Sequence, residues 1–155
     1  MKKLVALTLL AAAVGTLAPF ASGAGSGIPG LRVKDVSQAL VVQDFECEGP
    51  ARVAGVPTWT CTKNLGGAVY VVTIAGSSAA QVSKVRAVAT INKGKVDPLA
   101  RTFVGYIATI PYRGSNPTKA QLWAQKHVAG GTTKIGPVTF TISAAGKKRT
   151  IELKA

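Results

Sequence analysis

Two cysteines, Cys47 and Cys61, restrict the fold of this chain more than any other feature, because they are its only cysteines and thirteen residues separate them. Each lies in a stretch where apolar and polar side chains alternate, which is the period of a β-strand. Phe45 and Cys47 alternate with glutamates, and Trp59 and Cys61 alternate with threonines. Antiparallel pairing of the two stretches brings the cysteines together on one apolar face. We therefore predict a β-hairpin with residues 49–57 as a long connecting loop.

The first 24 residues indicate the compartment of the protein and therefore whether Cys47 and Cys61 form a disulfide. Residues 1–24 combine a basic start, an apolar run from Leu4 to Leu17 and small residues before Ala24, which is the order of parts in a secretory signal peptide. A membrane anchor is the alternative, but this apolar run is shorter than the roughly 20 residues that cross a bilayer. We expect a periplasmic or extracellular protein, in which the two cysteines form a structural disulfide.

Two other uses of the cysteines are weaker hypotheses. A redox pair would be expected as C-x-x-C, and a metal site would need two further ligands, whereas the chain has one histidine, His127, far away in sequence. We accordingly expect no metal and no cofactor.

Without residues 1–24, the chain of 155 residues shortens to 131, loses two of its 19 basic residues and keeps all six acidic ones, so its net charge is +11. This length fits one domain. Residues 25–34 are rich in glycine and predict a flexible leader. Residues 35–155 are then expected to form a single α+β domain, with no later segment of membrane-spanning length.

Hydrophobic periodicity gives the order of elements in that domain. Residues 34–45 favour a helix, with a capping box from Asp35 to Gln38, although adjacent valines also suit a strand. Period-2 alternation predicts four strands between residues 45 and 91. Two helices are expected next, beginning at Asp97 and Asn116, and each of these N-caps is followed by a proline. Two final strands are predicted over residues 133–143 and 147–155.

The predicted order is therefore (α)ββββααββ, an antiparallel sheet of about five to six strands with two to three helices on one face and one disulfide. Within the first of the paired helices, Leu99, Phe103, Ile107 and Ile110 are spaced as an inner stripe.

Few residues suit catalysis. Glu46 and Glu48 share a strand face and could serve as an acid–base pair or hold a cation, but a solvated strand face explains them more simply. His127 could act as a general base, yet its position in the last turn of a predicted helix favours packing or capping. Glycine-rich turns match no phosphate-binding motif, and no G-x-S-x-G is present. The sequence therefore predicts no catalytic residues.

Charge is the remaining signal. The predicted outer sheet face carries Lys84, Arg86, Lys148 and Lys154 among threonines, and Arg149 adds charge in the neighbouring loop. Cations beside hydroxyl groups suit phosphate, sulfate or carboxylate groups. We expect Lys84, Arg86, Lys148 and Arg149 to contact a polyanion. Tyr70 is the only candidate for an exposed aromatic on the sheet, so any nucleic-acid binding should be sequence-independent.

Three function classes follow from these features. The first is an exported, non-catalytic protein that binds an anionic polymer or an anionic envelope surface. The second is an envelope-structural or protein-interaction module whose partner lies in a groove beside the helix pair and whose charge is incidental. The third is a small hydrolase that uses His127 with Glu46 or Glu48, which requires the histidine and a carboxylate in one pocket.

Overall fold

The computed structural model describes residues 27–155, so the predicted signal peptide lies outside the described residues. These residues form three helices and seven strands in the order αββββααβββ. Their bounds are α1 Val33–Val41, β1 Glu46–Val53, β2 Val56–Leu65, β3 Ala68–Ser78, β4 Gln81–Ile91, α2 Val96–Ala108, α3 Pro117–Lys126, β5 Gly131–Ile135, β6 Val138–Ala145 and β7 Lys148–Lys154.

All seven strands belong to one antiparallel sheet with the order β1-β2-β3-β4-β7-β6-β5. The α+β class is confirmed, but the sheet has more strands than expected. Residues 133–143 were predicted as one strand, and the chain instead reverses at Gly136 and Pro137 to make the β5–β6 hairpin. Gly136 has a φ of 58°, and a Cβ there would collide with the carbonyl oxygen of Gly114, so the turn requires glycine.

The predicted hairpin and its disulfide are both confirmed. Cys47 and Cys61 are direct partners in the β1–β2 ladder, and their sulfur atoms are 2.04 Å apart. The long loop predicted over residues 49–57 is wrong. The strands continue to Val53 and Val56, with only Ala54 and Gly55 between them. Both turn residues have positive φ, as a tight two-residue hairpin turn requires.

Two helices begin earlier than predicted. The N-cap of α1 is Arg32, and its capping box uses Asp35, whose carboxylate accepts a hydrogen bond from the Arg32 backbone N–H at 3.3 Å. Asp35 is therefore not the N-cap. The N-cap of α2 is Lys95, so Asp97 lies inside the first turn. The predicted cap of α3 is correct, because Asn116 accepts a hydrogen bond from the Lys119 backbone N–H at 3.0 Å.

The core lies on the sheet face that the helices contact. Alternate strand residues are fully buried there, for example Val72, Val85 and Ile151. α1 packs on β1 and β2, and α2 packs on β4, β7 and α3. Trp123 of α3 makes an edge contact with the ring of Phe140 in β6, at a centroid distance of 6.3 Å. No helix within residues 27–155 covers the opposite face, which we call the open face.

The segment before α1 packs against the core, although the sequence predicted a flexible leader up to residue 34. Ile28 and Leu31 are only 2% and 1% exposed. The backbone N–H of Ile28 donates to the carbonyl of Val82 at 2.6 Å, and that of Val33 donates to the carbonyl of Ala79 at 2.9 Å. Two buried apolar side chains and two backbone hydrogen bonds therefore hold this glycine-rich segment against the core and the β3–β4 hairpin.

Candidate functional site

Three lysines lie in one row across the open face. Lys84 of β4 is directly opposite Lys154 of β7, Lys154 is opposite Thr139 of β6, and Thr139 is opposite Lys134 of β5. We call Lys84, Lys154 and Lys134 the lysine row. With strands about 4.8 Å apart, its outer members are roughly 14 Å from each other. Within residues 27–155, none of the three forms an ion pair.

Arg86 lies on the same face, two residues along β4 from Lys84. Its direct partner on β7 is Glu152, and its partner on β3 is Thr73, whose hydroxyl donates to the Arg86 carbonyl oxygen at 3.2 Å. Glu152 is the one carboxylate beside the lysine row in the described sheet, so it lowers the positive potential at Arg86 more than at Lys134, which is two strands away.

Lys148 is on the open face but far from the lysine row. It pairs with Thr90 at the opposite end of the β4–β7 ladder, six residues along β7 from Lys154. At about 3.3 Å per residue this separation is roughly 20 Å. Lys148 therefore does not form a compact cluster with Lys84 and Arg86.

Arg149 lies on the helix-covered side of the sheet. Its guanidinium binds the carboxylate of Asp97 in α2, with an Nη2–Oδ1 distance of 2.8 Å. It also donates to the carbonyl oxygens of Gly146 and Lys148 at 2.8 and 2.9 Å. Only 12% of its side chain is exposed. The structure thus places three of the four predicted contact residues on the open face and gives Arg149 an internal partner.

The acidic end of the open face lies at the other edge of the sheet. Glu46 and Glu48 of β1 are opposite Thr62 and Thr60 of β2, and both glutamates are exposed. Strands β2 and β3 separate them from β4, so the face changes from acidic at β1 to basic at β4–β7. A negatively charged polymer would be attracted to the basic half only.

His127 is the C-cap of α3. Its Nδ1 lies 2.8 Å from the carbonyl oxygen of Trp123, and its ring stacks on the Trp123 ring at 5.0 Å. Three residues separate the histidine from β5, whereas Glu46 and Glu48 lie on β1, at the opposite edge of the sheet. Six strand spacings amount to roughly 29 Å. The structure therefore does not bring His127 and either glutamate into one pocket.

The second function class expects a groove beside the helix pair, and the structure has an apolar groove between α2 and strands β2 and β3. It encloses about 260 Å³. Its lining residues are Gln43, Phe45, Lys63, Leu65, Tyr70, Leu99, Thr102, Phe103 and Tyr106. Leu65 is 60% exposed and Leu99 39%, so the prediction that Leu99 belongs to the inner helix stripe is wrong. In the sequence, Leu65 directly precedes the turn glycines Gly66 and Gly67, and this was the available sign of an exposed leucine. Only the packing shows that Leu65 and Leu99 border the same groove.

Three aromatic rings form the apolar part of this groove. The Tyr70 ring lies 4.8 Å from that of Phe103, and the Phe45 ring lies 6.4 Å from it. Tyr70 is 9% exposed, so it is not the exposed aromatic that the sequence suggested. Burial raises the pKa values of Tyr70 and Tyr106 above that of a free phenol.

Lys63 supplies the positive charge of the groove and is the direct cross-strand partner of Tyr70. Its Nζ donates to the Gln43 carbonyl oxygen at 2.6 Å and lies 5.9 Å from the centroid of the Phe45 ring. The carboxylate of Asp44 is 3.5 Å away, and that side chain is 91% exposed. The groove therefore combines an apolar floor with a cation that is only 18% exposed.

Comparisons with known proteins give no relative: no protein-family model, no curated sequence and no solved structure matches the chain. Within residues 27–155, no helix has the length and apolar character needed to span a membrane. The same residues contain no cluster of three or more metal-ligating side chains of the His, Cys, Asp or Glu type.

Proposed function

We propose that the protein is an exported, non-catalytic binding protein that engages an anionic polymer or surface through the lysine row and Arg86. The lysine row carries the proposal: three ammonium groups lie within roughly 14 Å on an open sheet face and have no carboxylate partner among the described residues. Thr139 stands between Lys154 and Lys134, so a hydroxyl donor is available to the same anion.

Export is supported by the signal-like residues 1–24 and by the disulfide, which is typical of proteins outside the cytosol. The ligand class is supported by the side chains that the open face offers. None of the aromatic residues among 27–155 lies on this face, so base stacking is not available there. Contacts to a nucleic acid would be to its backbone and independent of sequence, as they would be to a sulfated polysaccharide or an anionic lipid surface.

The test compares two double variants, each of which removes two positive charges. Lys84→Gln with Lys154→Gln alters the lysine row, whereas Lys34→Gln with Lys119→Gln alters two exposed lysines on helices. Binding to duplex DNA, single-stranded DNA, a sulfated polysaccharide and anionic vesicles is measured between 50 and 200 mM salt. For duplex DNA, log K falls as log salt rises, and losing two phosphate contacts should make this negative slope shallower by about two.

The helix variant should leave that slope unchanged, because its lysines lie away from the open face. An equal loss of binding in both double variants would show that net charge acts without a defined site. Absence of binding by the unaltered protein at 50 mM salt would contradict the proposal and leave its charge as a solubility feature.

A second candidate is an envelope-structural or protein-interaction module. One observation favours it: the apolar groove has exposed leucines at its border, and exposed apolar patches mark interaction sites. The third hypothesis, a hydrolase using His127 with Glu46 or Glu48, has no such support from the geometry of the described residues.

A further inference from the structure

We propose that the groove between α2 and strands β2 and β3 binds a small amphipathic carboxylate, with its apolar body on the aromatic rings and its carboxylate between Lys63 and Tyr70. The groove lies on the helix-covered side of the sheet and the lysine row lies on the open face. The proposal therefore goes beyond polyanion binding and does not depend on it.

The apolar body of the ligand follows from the floor and rim of the groove. Phe45, Tyr70 and Phe103 form a continuous ring surface, and Leu65 and Leu99 leave apolar area exposed beside it. Covering this area removes it from water, which is the main source of affinity in ligand grooves. The volume of about 260 Å³ equals that of roughly nine water molecules, which suits a body of about ten non-hydrogen atoms.

The charge of the ligand follows from Lys63. An ammonium group has three donors, and among residues 27–155 one is used at 2.6 Å by the Gln43 carbonyl. The Asp44 carboxylate is at 3.5 Å and 91% exposed, so solvent weakens this pair. A ligand carboxylate that reaches Lys63 over the Phe45 ring would be shielded from water and would form a shorter, charge-assisted hydrogen bond.

The hydroxyl of Tyr70 provides an independent reason. The other two tyrosines bond to backbone, Tyr106 to Ala39 at 2.7 Å and Tyr112 to Ile135 at 2.8 Å. The Tyr70 hydroxyl has no hydrogen-bond partner among the described residues, although 91% of the residue is buried. No fully enclosed side-chain polar atom of those residues lacks a partner, so this hydroxyl is in contact with solvent, and the groove is the solvent-filled space that Tyr70 lines. Because Lys63 and Tyr70 are cross-strand partners, one carboxylate can accept hydrogen bonds from both.

The experiment is an NMR titration of the oxidised chain from residue 25 onward with octanoate and with octan-1-ol, which share an apolar body and differ in charge. Octanoate should shift the amide signals around the groove and bind more tightly than the alcohol. Lys63→Gln should weaken octanoate binding roughly tenfold or more and change octan-1-ol binding little. Tyr70→Phe should weaken octanoate binding by a smaller factor, and Lys119→Gln, on α3, should have no effect. 3-Phenylpropanoate shows whether an aromatic body is preferred.

Equal binding of octanoate and octan-1-ol by the unaltered protein would overturn the proposal, as would octanoate binding that survives Lys63→Gln. Groove signals that shift with protein concentration alone, without a response to octanoate, would show instead that a second copy of the chain covers the groove. Spectra of each variant away from the groove establish that it is folded. If Lys63→Gln does not fold, Tyr70→Phe and the comparison of acid with alcohol decide the outcome.

Discussion

Arg149 is positively charged, but its guanidinium is bound by other groups of the protein and is therefore not available to a ligand. Its guanidinium bridges the first turn of α2, through Asp97, and the β6–β7 turn, through the Gly146 carbonyl. With 12% of the side chain exposed, most of its hydrogen-bonding capacity is already satisfied internally. Lys148, the preceding residue, points to the other face of the sheet and has no such partner among the described residues.

We expect Arg149→Glu to destabilise the fold by about 2 kcal/mol, because it places a carboxylate against Asp97 and leaves the neighbouring carbonyls without a donor. Lys148→Glu is the matched control and should change the free energy of unfolding by less than about 0.5 kcal/mol. Urea unfolding of both variants measures the difference. Equal midpoints would show that the Arg149–Asp97 pair contributes no stability.

This contrast has a practical consequence for testing polyanion binding. A variant that alters Lys148 and Arg149 together would mix a loss of stability with a loss of surface charge. The lysine row provides a cleaner test, since Lys84 and Lys154 are opposite each other on the open face and make no ion pair within residues 27–155.

Among the elements, the β1–β2 hairpin depends most on a covalent bond. β1 is an edge strand, so it pairs with β2 alone, and its side chains after Cys47 are exposed. Cys61, in contrast, is fully buried. The disulfide therefore ties a poorly packed edge strand to the core at their shared position in the ladder.

Replacing Cys47 and Cys61 together by alanine should lower the free energy of unfolding by about 3 kcal/mol, as expected for opening a loop of about 15 residues. Urea unfolding of the oxidised protein and the variant measures this loss. Reducing the disulfide of the unaltered protein should bring its midpoint close to that of the variant. If reduction and substitution both leave the midpoint unchanged, the edge strand is held by its ladder alone.

Element boundaries show where prediction from sequence succeeds and where it stops. Alternation located the strands around Cys47 and Cys61 and their register, because one buried face fixes which residues can be opposite each other. It failed at Gly136–Pro137, since the apolar residues on both sides of that turn continue to read as one strand. The Gly-Pro pair itself was the signal for a turn. The predicted β1–β2 loop was too long because glycine and proline usually indicate a loop. In the structure, Gly49 and Pro50 lie inside β1, where the ladder is irregular between Glu48 and Ala51, and Pro57 lies inside β2.

For the whole molecule, the segment before α1 is part of the core, because it buries Ile28 and Leu31. Leu31 is 1% exposed although it precedes the first helix. Leu31→Ala should therefore cost about 3 kcal/mol of unfolding free energy, as a buried leucine does. Leu122→Ala, at a position 63% exposed on α3, is the control and should cost less than about 0.5 kcal/mol. Thermal or urea unfolding distinguishes them, and equal costs would show that the segment is not part of the cooperative core.

The candidate site depends on contacts that no local pattern contains. Alternation assigned Lys84, Arg86, Lys148 and Lys154 to one face, but the lysine row exists only because β7 pairs with β4 and not with β3 or β1. Lys84 and Lys154 are direct neighbours across the sheet, yet 69 residues lie between them in the chain. Lys134, in the strand that prediction merged with β6, joins the row for the same reason.

The strand order also bears on when the molecule can assemble. β1 to β4 form one meander and β5 to β7 form another, and the sheet becomes continuous only where β7, the last strand in chain order, pairs with β4. A polypeptide emerging residue by residue, from a ribosome or across a membrane, leaves the free edge of β4 unpaired until β7, Lys148–Lys154, becomes available. Completion of the sheet is therefore a late event, and a chain held short of that point retains two incomplete halves.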